Sequence, residues 1–194
     1  MTNNDRNITP QTGHVTRKDR ETILGQTAYT IWFTGLSGAG KSTLAFAFER
    51  ALAAKGRACF VLDGDNIRHG LNKDIGFSAE DRCENIRRIA EVARLMNDAG
   101  LIVIAAFISP FSSDRDMARQ IIGTDHYKEV YVNTTIEICE SRDPKGLYHK
   151  VRTGEITEFT GISSPYEEPK NSDFIINTNN ISIKEALLLF SNLI

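Results

Sequence analysis

Residues 33–43 read Phe-Thr-Gly-Leu-Ser-Gly-Ala-Gly-Lys-Ser-Thr, a loop composition that is costly to order unless a ligand fills it. Gly35 and Gly40 stand five apart and Lys41-Ser42 follows, which is the Walker A spacing. Glycine lets backbone N–H groups approach an anion without interference from a Cβ, and a helix starting here would aim its positive end at the same point. Gly35, Leu36, Ser37, Gly38, Ala39 and Gly40 are therefore read as a phosphate cradle. Lys41 is expected to reach the β- and γ-phosphates, Ser42 to hold Mg²⁺, and Thr43 to add a phosphate contact. A plain strand-to-helix turn would also need glycine, but it gives no reason for the adjacent Lys-Ser. The loop specifies a nucleoside triphosphate and leaves the acceptor open.

A second group of polar residues begins at Asp-Gly-Asp-Asn-Ile-Arg-His-Gly-Leu-Asn, residues 63–72. At the carboxyl end of a strand in an open α/β sheet, Asp63 and Asp65 would share a rim with the cradle. Two carboxylates there can assist Mg²⁺ or take a proton from an attacking hydroxyl. The local alternative is a turn built on Asp and Gly, with Asp65 as a helix N-cap. Arg68 follows, and residues 76–88 add Phe77, Arg82 and Asn85. Each alone reads as a solvated or core residue. Together, near a strand end, they suit a planar anionic acceptor.

These groups need a frame to hold them. From Tyr29 onward, short apolar runs alternate with helix-period segments, the pattern of βαβ units around a parallel sheet. Strands are expected at 29–34, 58–62, 101–107, 128–133 and 173–178. The fold class is α/β, a five-stranded parallel sheet with helices on both faces. The helix after Lys41 closes on Gly56. The one from Ala79 has Ser78 before it, Asp81 in the capping-box position and Gly100 after it. Its stripe of Ile86, Ile89, Ala90, Ala93 and Met96 runs on into Arg82 and Asn85, so an apolar face turns polar at its N-terminal end. Residues 1–25 are polar and read as an arm, mobile or docked on a partner subunit.

At 194 residues the chain suits one domain, residues 26–194 beyond the arm. A net charge of −2 gives no footprint for nucleic acid or an anionic membrane. The apolar run at 101–107 is too short to span a bilayer and the first twenty residues lack a signal-peptide core, so the cytoplasm is expected. Cys59, Cys83 and Cys139 are scattered, with neither disulfide nor metal-ligand spacing.

Six segments in order, 33–43, 63–72, 76–88, Ala-Phe-Ile-Ser-Pro-Phe (106–111), Arg-Asp-Pro-Lys-Gly-Leu-Tyr (142–148) and Phe-Thr-Gly-Ile-Ser-Ser-Pro-Tyr-Glu-Glu-Pro (159–169), resemble the adenylyl-sulfate kinases. These enzymes phosphorylate the 3′-hydroxyl of adenosine 5′-phosphosulfate (APS). The resemblance runs from about residue 12 to the C-terminus. It implies a P-loop kinase fold with a lid at about 141–162, ATP and Mg²⁺, 3′-phosphoadenylyl sulfate and ADP as products, and a homodimer. It places Asp65, Arg68, Arg82 and Asn85 on the phosphosulfate and ribose side of APS, and Phe77 and Phe159 on either face of its adenine. It puts the backbone of Ile108 and Ser109 against APS, and brings Lys145 and Arg142 onto the transferring phosphate and the ATP base. Asp63 would orient or deprotonate the 3′-hydroxyl and, with Ser42, hold the metal. The family has been described with a phosphoserine at the position of Ser109; direct transfer between bound substrates is expected here. Val-Asn-Thr-Thr at 132–135 departs from the family's Val-Asp-Thr-Pro at Asn133. The family also occurs fused to an adenylyltransferase, and the stand-alone form is expected. Two rivals keep the cradle: a nucleotide or sugar-acid kinase with another acceptor pocket, and a nucleotide sensor without turnover.

Overall fold

The computed structural model describes residues 9, 11–179 and 181–190. Its strands are β1 (Thr30–Thr34), β2 (Cys59–Asp63), β3 (Ile102–Ala106), β4 (Tyr127–Val132) and β5 (Phe174–Ile176). The helices are α1 (Arg17–Leu24), α2 (Lys41–Ala54), α3 (Gly64–His69), α4 (Ala79–Asp98), α5 (Ser112–Ile122), α6 (Ile136–Arg142), α7 (Leu147–Arg152) and α8 (Ile183–Leu189). All five expected strands are present. They form one parallel sheet in the order β2-β3-β1-β4-β5.

Side chains alternate across a strand, so each inner strand feeds two cores. Ile31 and Phe33 of β1 and Ile104 of β3 face one core, built with Leu44, Phe48 and Leu52 of α2 and with Phe190. Trp32 and Val103 face the other, built with Ile86, Ile89 and Ala93 of α4 and with Ala118 and Ile122 of α5. Both faces of β1 and β3 are buried, which explains why these strands read as unbroken apolar runs rather than alternating ones.

The expected helix caps are present. Ser78 Oγ accepts from Asp81 N at 3.1 Å, while Gly56 and Gly100 take φ values of 74° and 89° just past the ends of α2 and α4.

One expectation needs correction. Part of the stretch read as a polar arm, residues 17–24, is helix α1, started by a Thr16–Asp19 capping box and stopped by Gly25 at φ 61°. It docks on its own chain: Arg20 Nη1 donates to Asp98 O at 3.1 Å, and Glu21 Oε1 accepts from Ala28 N at 2.8 Å. Side-chain bonds to backbone groups, with Leu24 against Gly100, hold it, and composition does not reveal such contacts. Residues 1–8 lie outside the described residues.

Candidate active site

A cleft of about 1210 Å³ runs along the carboxyl ends of the strands. Ser37, Gly38, Gly40, Lys41, Ser42 and Thr43 line it after β1, Asp63 and Asp65 after β2, and Ile108 and Ser109 after β3. Arg68, Phe77, Arg82, Asn85, Arg142, Lys145 and Phe159 complete the wall. Gly35, Leu36 and Ala39 of the cradle stand behind it. The sheet thus gathers residues scattered over more than a hundred positions onto one rim, as the strand-end rule anticipates.

The cradle's glycines answer to neighbouring backbone as well as to phosphate. A Cβ on Gly35 would lie 2.6 Å from Val132 O, and one on Gly38, at φ 77°, would lie 2.8 Å from Cys139 O. Thr134 Oγ1 and Thr178 Oγ1 both donate to Ala39 O, at 3.2 and 2.9 Å, and Tyr148 Oη donates to Ser37 O at 2.9 Å. These three side chains brace the loop. Sequence inspection missed them, although Thr134 and Thr178 follow β4 and β5 and so obey the same rim rule.

Lys41 Nζ is buried and donates to Gly35 O at 2.9 Å and Leu36 O at 2.7 Å. Burial, only partly offset by neighbouring acidic groups, pushes its ammonium down to about 8. An arriving polyphosphate would favour the charged form and raise that value. Below pH 8 the ammonium is charged in free and bound protein alike, and ATP affinity should be flat. As pH rises past that value the free protein loses a proton that the complex holds, so affinity should fall by up to about tenfold per pH unit. Calorimetric titration between about pH 7 and 9.5 reads this directly; a flat profile would contradict it.

Ser42 Oγ donates to Asp63 Oδ2 at 2.6 Å, so the loop and the second strand meet at one hydroxyl-carboxylate pair. Asp63 Oδ1 accepts from Asp65 N at 3.1 Å and caps α3. The N-cap is therefore Asp63, not Asp65, because the strand ends one residue later than expected and the helix starts at Gly64. Asp65 is instead ion-paired with Lys145, joining the rim to the segment at 141–162.

The acceptor side is built from α3, α4 and their connection. Arg68 donates to Ile75 O and Gly76 O at 3.1 and 2.8 Å, and its guanidinium carbon lies 4.2 Å from the centroid of the Phe77 ring. That ring is 64% exposed on the wall of the cleft, so it offers area that a flat ligand could cover. Arg82 donates to Phe77 O at 2.9 Å and to Thr160 Oγ1. Asn85 is buried, accepting from Asn72 at 2.9 Å. Phe159 is also buried, edge-on to Tyr148 with ring centroids 5.0 Å apart.

The 141–162 segment is partly helical. It carries the end of α6 and all of α7, anchored on the body through buried Tyr148. Arg142 at the end of α6 donates to Thr178 Oγ1 and Thr178 O at 3.0 and 2.7 Å. Ser109 is 2% exposed and holds φ at 39°, left-handed backbone that a serine adopts only under constraint. Its hydroxyl accepts from Trp32 Nε1 at 3.0 Å and lies 3.5 Å from Phe107 O.

A phosphate cradle carrying Lys41, a carboxylate bonded to its serine, and further cations around one cleft define a P-loop kinase. Residues 27–177 match the sequence profile of the family described as Adenylylsulphate kinase. The adenylyl-sulfate kinase of Clostridium kluyveri is 52% identical over 181 residues, 93% of this chain and 90% of the relative. That of Bacteroides thetaiotaomicron is 56% identical over 173 residues, 89% and 86% of the two chains. Among solved structures, the Mycobacterium tuberculosis APS kinase in complex with AMPPNP and APS superposes with a TM-score of 0.82. It shares 49% identity, covering 86% of this chain and 97% of that one. The chain belongs to the adenylylsulphate kinase family. A gluconokinase from Sinorhizobium meliloti, 18% identical with a TM-score of 0.55, shares the fold alone.

Proposed function

We propose that this chain transfers the γ-phosphoryl group of ATP to the 3′-hydroxyl of APS, giving 3′-phosphoadenylyl sulfate and ADP. The observation that carries the proposal is the single cleft in which Lys41, Ser42 and Asp63 face Phe77, Arg82 and Asn85. A related kinase, 49% identical, was solved with both AMPPNP and APS.

The cradle and Lys41 bind the β- and γ-phosphates, and Arg142 flanks the nucleotide base. Phe77 and Phe159 flank the adenine of APS, while Asp65, Arg68, Arg82, Asn85 and the backbone at Ile108 and Ser109 hold its ribose and phosphosulfate. Asp63 orients the 3′-hydroxyl and accepts its proton. Lys145 forms part of a lid that exchanges its pairing with Asp65 for the transferring phosphoryl group. Ser42 and Asp63 offer hard oxygen donors 2.6 Å apart, which fits Mg²⁺. No group of three or more His, Cys, Asp or Glu side chains suited to a metal occurs among the described residues, and Mg²⁺ needs none, since substrate phosphates complete its shell. When bound, that ion would neutralise charge on the phosphates. The buried, Trp32-bonded hydroxyl of Ser109 favours direct transfer over a phosphoserine intermediate.

Phe77→Ala should raise KM for APS by about tenfold, the loss of one stacking face, and leave ATP affinity unchanged. Equal loss for both substrates would argue against its place on the acceptor. The enzyme is read as a cytoplasmic homodimer. Free thiols at Cys59, Cys83 and Cys139 accord with a reducing compartment. A relative from Thiobacillus denitrificans is hexameric, so light scattering decides the assembly, with about twice 21.6 kDa expected.

ADP release measured with APS, adenosine 5′-phosphate and gluconate in turn tests the function. APS alone should support turnover. Turnover with another acceptor would indicate a different small-molecule kinase, and ATP binding without APS-dependent ADP release would indicate a sensor.

A further inference from the structure

The strained backbone at Ser109 has causes that lie outside the cleft. Among the described residues only Ser109 and Asp143 combine positive φ with a side chain, and each precedes a proline, which makes the conformation harder still to adopt. Something must hold Ser109 there. Thr34 Oγ1 donates to Ile108 O at 2.7 Å, and Arg115 Nη1 donates to Ser109 O at 2.8 Å. Both carbonyls are thus pulled into the protein. Because the intervening peptide is trans, the Ser109 N–H points opposite to Ile108 O, away from Thr34.

Arg115 does more than anchor one carbonyl. It sits in the first turns of α5, 3% exposed, and its second terminal nitrogen donates to Glu167 O at 2.8 Å. Its Nε lies 3.6 Å from Glu129 Oε2, a carboxylate that is itself only 6% exposed. Glu167 follows the 141–162 segment and closes the tie: its N–H donates to Pro110 O at 2.8 Å, and its carboxylate accepts from Ser112 N at 2.7 Å. One guanidinium therefore joins the loop after β3 to the chain leaving the lid region, with Glu129 of β4 as its counter-charge. The planar guanidinium presents separate nitrogens to the two carbonyls and a third to Glu129, a fixed fork that the single nitrogen of a lysine does not reproduce.

We infer that Arg115 is a positioning residue for the acceptor: it fixes the Ser109 peptide and ties it to the Glu167 segment, so that APS meets a preset wall. This rests on the reading of the cleft as an APS site. The bonds of Arg115 go to Ser109 O, Glu167 O and the Glu129 carboxylate, none of them in the phosphate cradle, so its loss should fall on APS and spare the nucleotide.

Arg115→Lys is the deciding variant, because it keeps a positive charge beside Glu129 and so protects the fold. Its KM for APS should rise by about fivefold to tenfold, as expected when one of two charge-assisted bonds is lost, with the Kd for ADP within about twofold of the parent. Arg115→Met should raise KM for APS further, by about a hundredfold. An unchanged KM for APS in Arg115→Lys overturns the inference. So does a parallel weakening of ADP binding, which marks a general structural role. If Arg115→Met cannot bind ADP at all, the Lys variant alone decides. Failure of the parent enzyme to use APS is a separate result and would overturn the function proposed above, and this inference with it.

Discussion

Lys41→Ala should lower kcat/KM by about 10³-fold or more, with ATP affinity falling as well, because it removes a buried cation aimed at the charge that develops during transfer. The lysine already occupies a low-dielectric position, held by Gly35 O and Leu36 O. Electrostatic interactions are strongest where water is excluded, and alanine offers no substitute donor. The two loop carbonyls also lose their partner, so the cradle itself should loosen. Initial rates and calorimetry on the same preparation read both effects. A change in activity within about twofold would contradict the phosphate-loop assignment.

Asp63→Asn should be nearly as damaging to turnover and far gentler on binding. Asparagine keeps an oxygen that can accept from Asp65 N, so the cap on α3 survives, and its amide can still pair with Ser42. What disappears is the negative charge. Without it the side chain cannot take the proton of the 3′-hydroxyl, and its hold on a cation weakens. kcat should fall by about 10³-fold, the scale of a lost general base, while ATP still binds. A raised Mg²⁺ requirement with recoverable kcat at high Mg²⁺ would assign Asp63 mainly to the metal; a loss that Mg²⁺ cannot restore would assign it mainly to the proton. Near-normal turnover would remove it from the mechanism.

Much of this arrangement was legible in the sequence, for identifiable reasons. β1 and β3 are buried on both faces and therefore wrote continuous apolar runs. The cradle and the Ser78 cap were legible because they use residues that few other environments require. Asp63, Arg82 and Asn85 could be placed because strand ends in an open sheet face one crevice, and because the stripe of α4 turned polar at that end.

Other features left no such trace. α1 was hidden in polar composition, although Thr16, Asp19 and Gly25 carried its start and stop signals. Within 141–162, Pro144 and Gly146 break any helical period, yet Gly146, at φ 65°, is the residue at which α7 starts. Thr34, Thr134, Thr178, Tyr148 and Arg115 act through individual hydrogen bonds to particular backbone carbonyls, and one hydroxyl or guanidinium has no periodicity to detect. Phe159 was paired with Phe77 through the resemblance; in the structure one ring is buried against Tyr148 and the other is exposed with Arg68 above it. A sandwich requires a flat ligand between them.

The most direct test is a crystal structure of this chain with ADP and APS bound together. ADP should lie in the loop at Lys41, with the adenine of APS between Phe77 and Phe159 and its 3′-hydroxyl within about 3 Å of the Asp63 carboxylate, facing the vacant γ-phosphate position. APS bound outside this cleft, or held in it with the 3′-hydroxyl turned away from Asp63, would contradict the mechanism.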